Sequence, residues 1–504
     1  MLEPDWEKFL SGSDIRGTAA EGVEGQPVDL TDPVVERMVK GFCVWLKART
    51  GKERIRVTLG HDSRISAPRL RACAERAFLS QGAEVLSMGL ASTPSLFLST
   101  VHAETHADGA LMLTASHHPF QKNGLKFFVP EGGLESADIR ESLALAQRNE
   151  FTDVAGGSVR ACGFMHTYAA VLREKFTAAC GCERPLEGLH IVVDAGNGAG
   201  GFFVEEVLGP LGADTSGSRY LEPDGRFPNH IPNPENAAAM DSIRSAVLGS
   251  GADFGVIFDT DVDRAGAVFS DGEEINRNRL IALISAILLK ENPGATIVTD
   301  SVTSDGLAEF LAAHGGKHRR FKRGYKNVIN EAIRLNREGV DCPLAIETSG
   351  HAALRENYFL DDGAYLMVRI LIQLALLRRE GKSLQDFIAD LRVPAEECEV
   401  RLGFTVPDFR DCGMRVLNAL EAHCASTPSW KMATDSCEGV RVSFAKGEGD
   451  GFFLLRMSVH DPIMPLNIES NEAGGCKVIG EKLYAFLRQF EGLDCKNLQN
   501  YLKK

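Results

Sequence analysis

The sequence predicts an α/β protein of several domains, three of alternating strands and helices and a smaller fourth of α+β type. Three observations carry this. From Ile55 onward, short apolar runs alternate with stretches of helical length, which implies a mainly parallel sheet within three layers. The same pattern restarts at Leu189 and again at Arg279. After Pro394 it changes to short strands at 400–404, 440–444 and 452–457 among helices at 408–423 and 476–490. A chain of 504 residues also exceeds what one hydrophobic core usually serves.

The first unit opens on Ser11-Gly12-Ser13-Asp14-Ile15-Arg16-Gly17, a turn-forming stretch with one cation, Arg16. Val34, Val35, Met38, Val39, Phe42 and Leu46 share one side of a helix predicted over 32–48. Strand 55–59 runs into Gly60-His61-Asp62-Ser63-Arg64, followed by a helix at 67–81 and a strand at 84–88. The apolar run Leu111-Leu113 then delivers Thr114-Ala115-Ser116-His117-His118-Pro119, a polar loop closed by proline. A nucleophilic serine needs an exposed hydroxyl, a group to manage its proton and cations to receive charge. His117 adjoins Ser116, and Lys126 lies on the next strand, 125–129. The hexapeptide alone would equally suit an ordinary Ser/His turn. A helix at 135–150 and the turn Gly156-Gly157-Ser158 complete the unit.

In the second unit, strand 190–193 leads to Gly196, Gly198 and Gly201, which satisfy GxGxxG, and then to a helix through Leu208. That spacing fits a dinucleotide, but a tight turn packing a helix on a strand needs the same glycines, and Asp214 and Glu222 only flank the position of the expected ribose acid. A helix at 237–248 and strand 254–258 deliver Asp259-Thr260-Asp261-Val262-Asp263-Arg264. Alternate residues of an extended segment face one side, so the three carboxylates converge and a hard divalent cation, Mg²⁺ or Ca²⁺, relieves their repulsion. An EF-hand is excluded, because Arg264 and Ser270 stand where it needs glycine and glutamate. A solvated acidic turn is the plainer alternative.

The third unit has a helix at 279–289, a strand at 296–299 and a basic loop, Lys322-Arg323-Gly324-Tyr325-Lys326-Asn327. Strand 343–346 presents Glu347-Thr348-Ser349-Gly350-His351, suited to gripping sugar hydroxyls and shuttling a proton, or else to starting a helix capped by Ser349. Asp361-Asp362-Gly363 precedes an apolar helix at 365–377. In the last domain, Arg456-Met457-Ser458-Val459-His460-Asp461-Pro462 reads as a phosphate cradle or a simple strand-end turn.

The net charge of −14 disfavours nucleic acid and anionic membranes as partners. The N-terminus has no signal-peptide pattern, and the longest apolar run, 280–289, is too short to span a bilayer. Twelve cysteines lack CxxC spacing, which suits a reduced thiol set.

Serine loop, triple-aspartate loop, Glu-x-Ser-x-His loop and Arg-x-Ser loop follow in that order, each at a strand end. With Ser13-Asp-Ile-Arg-Gly17, Gly60-His-Asp-Ser-Arg64, Asp194-Ala-Gly-Asn-Gly198, Asp224-Gly-Arg-Phe-Pro-Asn-His230 and Arg355-Glu-Asn-Tyr-Phe-Leu-Asp-Asp-Gly363, the whole chain resembles the α-D-phosphohexomutase superfamily, nearest the phosphomannomutase/phosphoglucomutase group. The resemblance implies three mixed-sheet α/β/α domains (1–158, 159–271, 272–393) and an α+β domain (394–504) around a central cleft. It implies Ser116 as phosphoserine, and Ser116, Asp259, Asp261 and Asp263 as the Mg²⁺ site. Arg16, Lys126 and Arg264 would stabilise the phosphoryl group, with His117 in the catalytic set and His351 as proton carrier. Glu347, Ser349, Gly324 and Lys326 would bind substrate, and Arg456, Ser458 and His460 its distal phosphate.

The activity implied interconverts hexose 1-phosphate and 6-phosphate of glucose or mannose, with hexose 1,6-bisphosphate as intermediate and activator. The partners are small hexose phosphates, the assembly a monomer or homodimer, and the location cytoplasmic, or plastid stroma after removal of a transit peptide. Several positions depart from the family pattern. Val459, His460 and Asp461 replace the usual continuation of the phosphate loop, His118 stands for asparagine, Ser13 for an aromatic and Val302 for lysine. Alternatives are a phosphoglucosamine mutase, a bisphosphate-forming phosphotransferase, and a catalytically idle sugar-phosphate-binding regulator.

Overall fold

A computed structural model describes residues 2–434, 436–458 and 461–503. The chain forms two compact units: residues up to Ile287 with Ser349–Phe387, and Leu288–Thr348 with the residues from Ile388 on.

The first unit holds two sheets. In the larger, strands Gly109–Leu113, Arg56–His61, Glu84–Leu90 and Ser158–Ala161 are parallel neighbours. Lys122–Val129 joins antiparallel to Gly109–Leu113 and carries Asp14–Thr18 antiparallel on its other side. The expected parallel core is present, with an antiparallel edge that makes the sheet mixed; its last strand extends to Ala161, beyond the turn at 156–158.

The pleat explains the three layers. Leu111 and Leu113 pack into a core with Val35, Phe42, Leu70, Phe78, Ile139 and Leu143 from helices Asp32–Thr50, Ala67–Ser80 and Ser136–Arg148. Ala110 and Met112, facing the other way, pack with Leu96 and Phe97 of helix Thr93–Val101. A two-residue side-chain period thus buries one strand on both faces.

The second sheet pairs Ile191–Asp194 parallel to Phe254–Phe258, which pairs antiparallel to Ala265–Phe269. Helix Ala237–Ser250 covers it through Met240, Ile243 and Val247. The helix expected after the glycine turn is present and ends at Leu208, as a short π-helix, Phe203–Leu208. A Cβ at Gly198 would meet the Thr260 carbonyl oxygen at 2.5 Å, and one at Gly201 that of Leu221 at 2.6 Å. The chain's own backbone lies against both glycines, so they serve packing.

In the second unit, Thr296–Asp300 lies between parallel neighbours Lys317–Phe321 and Leu344–Ile346, with helices Asp305–Ala313 and Tyr325–Arg337. The basic loop expected at 322–327 ends earlier: Gly324 is the N-cap, and Tyr325, Lys326 and Asn327 form the first helical turn. The C-terminal sheet is antiparallel and contains one strand more than expected among its long members, Ile463–Ser470, between Gly451–Leu455 and Glu396–Phe404. Arg441 ties this sheet to the end of Thr296–Asp300, donating to the carbonyls of Ser301 and Thr303 (both 3.1 Å) and to Asp305 (2.7 Å).

Candidate active site

In the first unit the serine loop and the aspartate loop meet. Ser116, 9% exposed, has a left-handed backbone, φ +49°, which is costly for a residue with a side chain. Its amide donates to Thr114 Oγ1 at 2.9 Å and its hydroxyl to Asp259 at 2.9 Å, while Arg264 donates to the Ser116 oxygen. Arg16 donates to the Thr114 carbonyl and to Asp14 (2.7 Å).

Asp259, Asp261 and Asp263 are buried, and each offers an oxygen within 4.8 Å of the others. The extended-strand explanation needs correction. The strand stops at Phe258 and the three acids sit in a turn. Val262 between them takes φ +67°, rare for a β-branched residue, so turn geometry brings the carboxylates together.

Lys126 pairs with Asp263 at 2.7 Å, both nearly fully buried, and Arg264 pairs with Asp259 at 3.1 Å. Burial, then repulsion from Asp263 and Asp261, pushes the Asp259 carboxyl well above its ordinary range. Burial would raise Asp263 too, but Lys126, His351 and Arg264 outweigh it and hold that carboxyl low. Asp261 Oδ1 and Asp263 Oδ1 accept no hydrogen bond from any described residue. Converging carboxylates with two oxygens left over fit a hard divalent cation such as Mg²⁺.

The histidines divide by charge. Burial, then Arg264, pushes His117 down to about 2, so it is neutral, and Arg264 donates to its Nδ1. His351 is opposed by burial but raised to about 9 by Asp361 and Asp263, and its Nδ1 lies 2.6 Å from Asp361. It therefore carries a proton at neutral pH. A bridge between Arg264 and His351 sets its loop beside the aspartates. Gly350, at φ +94°, has no room for a Cβ, which would meet the Ala265 carbonyl oxygen at 2.6 Å. Ser349 is buried in this turn, and the alternative of a helix start is excluded.

The second unit gathers a separate set. Glu347 accepts from the Gly324 amide at 2.6 Å. Arg456, 6% exposed, ends the Gly451–Leu455 strand with its Nε 3.9 Å from Glu438, which also accepts from the Arg323 amide (3.0 Å) and from Ser301. Burial lowers the Arg456 guanidinium, partly offset by Glu438. Ser458 Oγ accepts from the Asp461 amide at 3.1 Å. Lys326 lies in the first turn of its helix. His460 lies outside the described residues.

Sequence reasoning missed several participants. Thr93, opening helix Thr93–Val101, donates from its hydroxyl to Asp261 at 2.5 Å and from its amide to the Asp261 carbonyl at 2.8 Å. Asp361 orients His351, and Glu438 faces Arg456. Arg64, 1% exposed, donates to four carbonyls of the serine loop. The motifs holding Arg64 and Asp361 were visible; the side chains' targets lie too far along the chain to be read from it.

Comparison with known proteins shows the family. Models of phosphoglucomutase/phosphomannomutase α/β/α domains I, II and III match residues 9–151, 167–272 and 276–393. A phosphoglucomutase of Neisseria gonorrhoeae is 30% identical over 86% of this chain and 88% of its own. A phosphomannomutase/phosphoglucomutase of Pseudomonas syringae pv. tomato is 29% identical over 92% and 94%. In fold, a phosphoglucomutase/phosphomannomutase family protein of Burkholderia thailandensis superposes with a TM-score of 0.80 at 24% identity, covering 98% of this chain and all of the other. Among the described residues no helix is long and apolar enough to cross a membrane. The chain belongs to the phosphoglucomutase/phosphomannomutase family and is an isomerase of the phosphohexomutase type.

Proposed function

We propose that this phosphohexomutase interconverts the 1- and 6-phosphates of glucose or mannose through a phosphorylated Ser116 and a hexose 1,6-bisphosphate. The observation that carries it is the Ser116 hydroxyl, buried 2.9 Å from Asp259, with Arg264 donating to the same oxygen. Such a hydroxyl is poor as a free nucleophile but well placed to hold a phosphoryl group whose charge the surrounding cations neutralise.

The phosphoserine gives its phosphoryl group to the free 6- or 1-hydroxyl of a hexose monophosphate. The bisphosphate turns round, and its other phosphoryl group returns to Ser116. Lys126, Arg264 and Arg16 offset the charge in transit, and Asp259, Asp261 and Asp263 hold Mg²⁺. When bound, Mg²⁺ supplies charge neutralisation at the transferring group. His351, cationic at neutral pH, gives a proton to the oxygen that loses the phosphoryl group and takes one back from the hydroxyl that receives it. Glu347 and Ser349 bind sugar hydroxyls and Arg456 and Ser458 the distal phosphate, with Gly324, Lys326 and His460 in the same substrate-binding set. The four-domain division at 158, 271 and 393 belongs to the same proposal, supported by the three matched domain models.

A second reading, a shifted preference toward glucosamine phosphate or net bisphosphate synthesis, is favoured by Glu438 beside Arg456. The test is conversion of α-glucose 1-phosphate to glucose 6-phosphate with Mg²⁺ and a trace of glucose 1,6-bisphosphate. Turnover lost in Ser116→Ala supports the proposal. No turnover from enzyme phosphorylated on Ser116 supports the second reading, to be resolved by a panel of sugar phosphates.

A further inference from the structure

We propose that Arg64 is a positioning residue for the reactive serine: its buried guanidinium fixes loop 116–122 so that Ser116 keeps the backbone that aims Oγ at Asp259 and Arg264. The proposal rests on Ser116 as the phosphoryl carrier.

One terminal nitrogen donates to the carbonyls of Ser116 and of His118 (2.6 Å), the other to those of Pro119 (2.8 Å) and Lys122 (2.9 Å). A planar fork can staple both ends of a seven-residue turn at once; a lysine ammonium, a single point, cannot. The guanidinium is itself fixed. Its Nε lies 3.2 Å from Asp62, whose other oxygen takes the Arg64 amide at 2.9 Å. Asp62 also accepts from the Thr114 hydroxyl at 2.7 Å, and Thr114 Oγ1 in turn accepts from the Ser116 amide at 2.9 Å. Ser116, the residue at φ +49°, is therefore held at its amide through Thr114 and at its carbonyl by Arg64.

The second sheet's loop closes over this frame. The Phe227 ring lies 5.3 Å from the guanidinium carbon, and a Cβ at Gly225 would meet the Ser63 carbonyl oxygen and the Ile65 nitrogen at 2.4 Å. Glycine at 225 is thus required by close approach to the segment that carries Arg64. An arginine serving the core alone would have no reason to place its donors on the backbone of the reactive turn. The left-handed serine would also relax if that turn were free.

The test compares wild-type enzyme with Arg64→Lys and Thr114→Val, each phosphorylated by glucose 1,6-bisphosphate, with the Ser116-phosphate fraction counted by intact mass. Single-turnover transfer to glucose 1-phosphate is then timed per phosphorylated molecule. Arg64→Lys should slow transfer by ~10²-fold and Thr114→Val by about tenfold, with KM within about twofold. A purely structural Arg64 would lower melting temperature and yield while leaving the rate per phosphoenzyme at the wild-type value, and that result overturns the proposal. If Arg64→Lys does not fold, Thr114→Val decides, and a wild-type rate there overturns it equally. Wild-type enzyme that takes no phosphate on Ser116 overturns the functional reading, and the positioning role with it; the wild-type mass alone distinguishes that failure.

Discussion

The Ser116 group in the first unit and the Arg456 group in the second handle buried charge in opposite ways. Around Ser116, cations meet anions in direct pairs, Lys126 with Asp263 and Arg264 with Asp259, and the carboxylate oxygens left over are suited to a metal ion. Around Arg456 the carboxylate of Glu438 stands off at 3.9 Å, and the same oxygen, Oε1, accepts from Ser301 and from the Arg323 amide. The first arrangement is closed except where a phosphate and a cation belong. The second holds a buried arginine, the proposed phosphate ligand, whose charge is partly offset by its own neighbour. On the proposed reading, the transfer end is thus paired more tightly than the recognition end.

The largest break of this contrast is at the serine. Ser116→Ala should lower turnover by about 10⁴-fold or more, with the melting temperature little changed, because the group that carries the phosphate is gone while its neighbours remain paired. Lys126→Met comes next. It leaves Asp263 buried without its principal cation, and removing one partner of a buried pair typically costs about 3–5 kcal/mol. Calorimetry in EDTA should show that loss in full, and added Mg²⁺ should recover part of it, since a ligand of the folded state stabilises by mass action. Equal melting with and without Mg²⁺, in both variant and wild type, would argue against a cation among these carboxylates.

At the recognition end the effects should fall on KM. Arg456→Ala removes charge-assisted bonds worth about 1.5–3 kcal/mol, so KM for the hexose phosphate should rise roughly 10- to 100-fold with kcat nearly kept. Glu438→Gln should act the other way, lowering KM several-fold by freeing the guanidinium for phosphate. If Arg456→Ala left KM unchanged, the distal phosphate would have to bind elsewhere.

Much of this was legible in the chain because it is local. Strand-end loops carrying Ser116, the three aspartates and Glu347 sit where apolar runs stop, and that can be read from periodicity. The acids were found for a partly wrong reason: their convergence depends on Val262 in a left-handed turn, which no alternation pattern reveals. Strand Ile463–Ser470 was missed because Pro465 interrupts it, although Met464, Leu466 and Ile468 do alternate inward. Arg64, Thr93, Asp361 and Glu438 act across the chain on targets set by tertiary packing. The GxGxxG turn misleads because close packing and nucleotide binding require the same absent side chain.

The smallest effect on turnover, yet a clear one on stability, separates the units by pH. In the second unit Arg441 donates to Asp305 at 2.7 Å, and Glu469 nearby is left with burial as the dominant influence, which raises its carboxyl to about 7 from an ordinary 4.5. A carboxyl raised by folding binds its proton more tightly in the folded state, so it costs stability as pH rises from about 4.5 to about 7, and the full cost persists above that. Glu469→Gln keeps the shape and removes the charge. At pH 4.5 and below it should melt like the wild type; above pH 7 it should be more stable by about 1–3 kcal/mol, with kcat unchanged. Denaturant titrations at pH 4.5, 6 and 8 read this directly. A gain already present at pH 4.5 would assign the effect to packing instead of charge. A loss at pH 8 would mean that Glu469 is paired with Arg441 after all, and that the second unit balances its buried charges as closely as the serine site does.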